Sequence, residues 1–134
     1  MRLRITVLLI CIASSIGIMS QTSDKDPIIE AFQQANANSI ASYLNDNVEM
    51  ELPQTDNFYT KAQAKSILVD FFRKNEVKDF IVVHKGNREN SSFTIGTLST
   101  SNGDFRILYH TKKSSGTPYN LIYQLRIEKT DTLH

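Results

Sequence analysis

Apolar and polar residues alternate most regularly in the last third of the chain, in three runs separated by turn-forming residues. The runs are residues 91–98 (Ser-Ser-Phe-Thr-Ile-Gly-Thr-Leu), 103–110 (Gly-Asp-Phe-Arg-Ile-Leu-Tyr-His) and 119–128 (Tyr-Asn-Leu-Ile-Tyr-Gln-Leu-Arg-Ile-Glu). A period of two predicts strands, and the short spacers predict an antiparallel meander with one apolar face. Between the first two runs stand Ser101, Asn102 and Gly103, a loop suited to a type I turn followed by a bulge, with glycine at the left-handed third position. In this register Phe93, Ile95 and Thr97 lie beside Tyr109, Ile107 and Phe105, and Leu121, Tyr123, Leu125 and Ile127 extend the same inward face. A two-residue Asn102-Gly103 turn would instead set Thr97 beside Leu108 and mix the two rows. The opposite face then carries Thr94, Gly96, Leu98, Arg106, Leu108, His110, Ile122, Gln124, Arg126 and Glu128, polar except for three large aliphatic residues.

Upstream the period changes. Asp26-Pro27 is a helix start, a capping acid followed by proline where a missing N–H costs nothing. Ile28, Ala31, Phe32 and Ala35 follow on one face, and Ile40, Ala41 and Leu44 suggest a second short helical segment over 39–44. Residues 48–52 alternate with Val48, Met50 and Leu52 on one side, a strand ended by Pro53. Thr60 and Gln63 form a capping box ahead of Ala64, Ile67, Leu68, Phe71 and Phe72, an apolar stripe wide enough to lie on a sheet. Residues 77–85 read as a further strand ended by Gly86-Asn87. In it Ile81 and Val83 face one way, and Phe80, Val82 and His84 the other. Both sides are apolar, so the pattern leaves the inward set open.

The order is helix, short helix, strand, capped helix and four strands, the last three a meander. It predicts an α+β domain with N-terminal helices packed on one face of a curved, mainly antiparallel sheet. At this level the chain resembles the nuclear-transport-factor-2-like cone. It is more closely similar to a family of short exported Bacteroidota proteins of unknown function. The closer likeness is carried by residues 26–32 (Asp-Pro-Ile-Ile-Glu-Ala-Phe), 62–72, 93–98, 103–107 and 125–128. These are fold-supporting positions, so the resemblance implies an architecture and a compartment rather than an activity.

Composition alters the picture mainly at the N-terminus. Arg2 and Arg4, the apolar run 5–12 and the small residues of 14–20 have the layout of a secretory signal peptide over residues 1–20. The apolar part is shorter than the roughly 20 residues that span a membrane. Residues 21–25 then read as a linker, 26–130 as one domain and 131–134 as a tail. Removal of 1–20 leaves 13 basic residues (15 less Arg2 and Arg4) against 14 acids, turning a net +1 into −1. No basic excess remains for a phosphate backbone, so nucleic acid is not an expected partner, nor is a membrane after cleavage. Cys11, the one cysteine, leaves too, which removes disulfides and thiolate chemistry.

Candidate chemistry is sparse. In the cone superfamily named above, the resemblance implies a pocket where acids, histidines or tyrosines move protons. The inward rows hold no acid: Glu49 and Glu51 alternate outward, and Asp70, Asp79, Asp104 and Glu128 fall on wet faces or strand ends. Tyr109 and Tyr123 remain as inward candidates, with Tyr59 and His84 near them, as a ligand-binding set; no catalytic residue is assigned. His84, His110 and His134 lack ligand spacing and the glycines form no phosphate loop, so neither a metal nor a cofactor is expected. Leu98, Leu108 and Ile122 are the candidate partner surface, suited to a homodimer through the outer sheet face. The expected function is non-enzymatic binding of a small apolar ligand or a protein partner. The alternative is an isomerase- or dehydratase-like enzyme using inward tyrosine and histidine.

Overall fold

The computed structural model describes residues 26–130; the expected signal peptide and linker over 1–25 and the tail over 131–134 lie outside the described residues. The first helix, α1 (Pro27–Gln33), starts where the Asp26 carboxylate accepts the Ile28 N–H at 2.9 Å. It ends in a left-handed turn: Ala35 has φ 51°, and the Asn36 N–H reaches the Ala31 carbonyl at 2.9 Å. That closure usually takes glycine, and it removes Ala35 from the helical face expected of it. α2 (Ala37–Ser42) is capped by Asn36, and Leu44 already belongs to the next strand, β1 (Leu44–Leu52).

β1 turns through Pro53-Gln54 into a strand that the apolar pattern does not reveal, β2 (Thr55–Thr60), whose Phe58 is 70% exposed. An edge strand open to solvent needs no alternation, and the sequence Thr-Asp-Asn-Phe-Tyr-Thr has little. α3 (Lys61–Lys74) begins with the expected reciprocal cap, Gln63 N–H to Thr60 Oγ1 at 3.2 Å and Thr60 N–H to Gln63 Oε1 at 3.1 Å. Its stripe buries Ala64, Leu68 and Phe71. Four strands follow: β3 (Val77–Arg88), β4 (Ser91–Thr100), β5 (Gly103–Lys113) and β6 (Asn120–Lys129). β3 runs on through Gly86 and Asn87 instead of ending there. The six strands form one sheet in the order β2-β1-β6-β5-β4-β3, antiparallel except where β1 meets β6. The helices pack on one face. Among the described residues no helix is long and apolar enough to cross a membrane.

Register is where the pattern and the structure part. The β4–β5 turn places Ser101 and Asn102 between paired Thr100 and Gly103, with Gly103 at φ 104°, as a bulged hairpin requires. The alignment, however, sets Thr94, Gly96 and Leu98 against Tyr109, Ile107 and Phe105. This is one residue from the expected pairing, and one residue exchanges the faces of β4. The cause is steric. A side chain built at Gly96 would come within 2.5 Å of the Phe80 ring and 2.9 Å of the Ile81 carbonyl, so this face of β4 must carry glycine.

Two irregularities move further residues. In β3, Val82 pairs with Gly96 and His84 with Ile95, so Val83 is skipped and His84 leaves the side of Phe80 and Val82. In β6, Ile122 pairs with Thr111 and Gln124 with His110, so Tyr123 is skipped. Each bulge advances one strand by one residue and inverts its alternation beyond that point. Leu98 and Ile122, expected on the outer face, are therefore wholly buried, while Leu108 stays outside, half-buried.

The core centres on Phe32. Its ring lies 5.3 Å from that of Phe80 and 5.8 Å from that of Tyr109, the latter nearly parallel. Met50, Leu68, Leu98, Ile107, Ile122 and Leu125 close around them with no exposure. The register predicts a contrast between two leucines of adjacent strands. Leu98→Ala should cost about 2–5 kcal/mol of unfolding free energy, and Leu108→Ala about 1 kcal/mol or less. Urea denaturation of both variants measures this; equal losses would contradict the alignment.

Candidate functional site

The four sequence candidates do not converge. Tyr59 is half-buried on β2 opposite Val48, packed against the core at the far side of the sheet. Tyr109 is inside the cone, 1% exposed, and faces Thr94 across the β4–β5 pair. His84 and Tyr123 are on the outer face, moved there by the two bulges. Tyr123, expected inward, is thereby corrected to the outer face, where its ring meets His110 and Lys112.

Inside the cone, the hydroxyls of Tyr109 and Thr94 are both buried with no hydrogen-bond partner. Burial pushes the Tyr109 phenol well above its ordinary value; the nearby Thr94 hydroxyl offsets this slightly, without forming a well-shaped hydrogen bond, and the Asp26 charge adds to it. The buried polar residues of the described chain are Thr94, Thr100 and Thr111, with no carboxylate or histidine among them. A further cleft, of about 270 Å³, is lined by Asp26, Tyr43, Lys85, Ser92, Thr111 and Tyr119 among others, and several of these engage one another. Asp26 pairs with Lys85 at 3.3 Å and Ser92 with Thr111 at 2.6 Å, while Tyr43 meets Tyr119 edge to face at 5.1 Å.

The outer face is organised differently. Four rings run across β3, β4, β5 and β6. His84 lies 5.4 Å from Phe93, Phe93 lies 6.1 Å from His110, and His110 lies 5.9 Å from Tyr123, all mutually tilted. The Lys112 ammonium stands 4.2 Å from the Tyr123 ring centroid, within cation–π range. Gly86 makes the ladder possible. It pairs with Phe93, and a Cβ there would come within 2.2 Å of the Phe93 ring, which therefore lies across bare backbone. A cleft of about 280 Å³ opens here, lined by Arg88, Ser91, Ser92, Phe93, His110 and Tyr123 beside Gly86. Phe93, His110 and Arg88 were not singled out from the sequence. The available signal was a glycine inside a strand, a mark of close approach by another group. Among the described residues no group of three His, Cys, Asp or Glu is placed to hold a metal ion.

Helices filling one face of a six-stranded sheet, with a short N-terminal helix laid against its inner aromatics, define an α+β domain of the nuclear-transport-factor-2-like class. A protein of that class from Cytophaga hutchinsonii, of unknown function, matches with a TM-score of 0.55 at 14% identity, over 78% of this chain and 84% of its own. The chain belongs to the family described as domain of unknown function DUF4783, which matches residues 25–128. A family protein from Bacteroides ovatus is similar at 36% identity and a TM-score of 0.75, over 80% of this chain and 96% of its own. One from Bacteroides uniformis is similar at 34% and 0.74, over 78% and 95%. No curated protein matches the chain.

Tyr109 yields a pH prediction with a definite sign. The folded state holds its proton more tightly than the unfolded chain does. Its contribution is therefore complete below the unfolded phenol value of about 10 and is lost as the pH rises above it. Tyr109→Phe removes an unpartnered hydroxyl and should fold with equal or greater stability at neutral pH. From about pH 9 to about pH 11 its stability should fall less than that of the native chain. Denaturant titrations across that range would show it; parallel curves would mean that Tyr109 ionises freely.

Proposed function

We propose that the chain is an exported, non-enzymatic binding domain that takes a small molecule with an apolar ring at the outer-face cleft. One observation carries this. His84, Phe93, His110 and Tyr123 form a continuous ladder beside a surface cleft, whereas the cone interior is occupied by Phe32, Phe80, Leu98 and Tyr109. The signal-like residues 1–20 support export. The inward tyrosine–histidine enzyme finds less support: both histidines of the described domain are outside, and the phenol that is inside holds its proton far above neutrality. Proton transfer near neutral pH needs a group that titrates near neutral pH.

Ring-on-ring contacts are worth about 0.5–1.5 kcal/mol each, so a ring alone should bind at roughly millimolar strength. Titrating phenol while recording backbone amide shifts locates the site. Phe93, His110 and Tyr123 should move while Phe32 and Tyr109 stay still. Shifts confined to the cone residues would refute the outer-face reading.

A second reading concerns the neighbouring part of the same face. Ile81 and Val83 are 58% and 67% exposed, near Ile95 and Leu108. In this reading a second copy of the chain pairs through the patch, which adjoins the ladder at His84, the partner of Ile95. Sedimentation equilibrium should then find a dimer that Val83→Lys converts to monomer; a native chain that stays monomeric at millimolar concentration removes the reading.

A further inference from the structure

We propose that the outer-face cleft selects molecules whose six-membered ring presents an apolar face and carries a carboxylate, either an acid of the benzoate type or a uronic acid residue stacked through its C–H face. This rests on the reading of that cleft as the binding site. Two consecutive outward rows of the sheet provide this selectivity. The first row is Gly86, Phe93 and His110, with Tyr123 bulged beside it, and it presents ring surface. The second is Arg88, Ser91 and Lys112, and it presents two cations with a hydroxyl between them. The rows are two residues apart on each strand, about 7 Å, and Arg88 and Lys112 stand two strands apart, about 10 Å. A ring seated on Phe93 and His110 thus directs a carboxylate substituent between the two cations, within reach of both long side chains.

The electrostatics agree. Among the described residues no carboxylate lines the cleft, and Glu89, the acid next to Arg88, sits in the turn outside the lining. Among the described residues neither Arg88 nor Lys112 takes part in an ion pair, although Lys85 and Arg126 elsewhere on the sheet are paired with Asp26 and with Glu51 and Glu128. Lys112 is instead held over the Tyr123 ring, which keeps its charge beside the cleft. An anion there gains charge-assisted hydrogen bonds, and Arg88 offers a planar fork matched to a carboxylate. Ser92 is already engaged with Thr111, which leaves Ser91 as the free hydroxyl at the rim.

The test titrates the mature chain at fixed pH and low salt with benzoate, galacturonate, their neutral counterparts benzyl alcohol and galactose, and acetate, following the amides of Ser91, Phe93 and His110. At least one ring acid should bind about tenfold more tightly than its neutral counterpart, and acetate more weakly than that acid. Whichever acid binds better distinguishes an aromatic from a sugar source. The exposed substitution Arg88→Gln should abolish the tenfold preference of the acid over its neutral counterpart. Equal affinity within both acid–neutral pairs overturns carboxylate selection while the cleft reading stands. Acetate binding as tightly as the acids overturns ring recognition. No shift with any of the five probes overturns the inference and the cleft reading together.

Discussion

The contact of Phe32 with Phe80 and Tyr109 is the interaction on which the other parts depend. α1 has seven residues, too few to persist as an isolated helix, so its position is set by what it buries. Its ion pair to the sheet, Asp26 with Lys85, is partly exposed and worth at most about 1 kcal/mol. Deleting a buried phenylalanine side chain costs about 3–5 kcal/mol. The aromatic contact therefore decides where α1 lies. It also decides the face of β4, because the Phe80 ring reaches its place only over a residue without a side chain, Gly96.

A filled cone has a functional consequence. With Phe32, Phe80 and Tyr109 in contact, the inside of the cone is occupied by the protein's own rings. Of the polar groups near the first helix, Asp26 pairs with Lys85 and Ser92 with Thr111. The same glycine device then appears on the other side of the sheet. Gly86 lets Phe93 lie across β3, as Gly96 does for Phe80. Inside, the device closes a core; outside, it lays an aromatic ring along the surface and starts a ladder that ends at a lysine. The rings not used in the core thus gather on the outer side of the sheet, across β3, β4, β5 and β6.

The legible parts were those whose signals are local. The α3 cap and stripe, the helix start at Asp26-Pro27, the left-handed Gly103 and the inward row Phe105, Ile107, Tyr109 all follow from neighbours within one turn or one hairpin. The face of β4 was not legible in this way. Its two rows, Phe93-Ile95-Thr97 and Thr94-Gly96-Leu98, each hold apolar residues, and the more apolar row is the one that ends outside. β2 was missed because an exposed edge strand has no apolar period to read.

The sequence by itself determined the class of the domain, the order of its helices and most of its strands, and, among the described residues, the absence of an acid from the interior. Those follow from periodicity and capping, which act over a few residues. Tertiary structure alone decided which face of β4 turns inward, and through the bulges at Val83 and Tyr123 which side His84, Ile122 and Tyr123 occupy. The physical reason is the pleat. A shift of one residue costs little locally but sends a side chain to the opposite side of the sheet, and only the fit of Phe80 over Gly96 and of Phe93 over Gly86 selects among the registers.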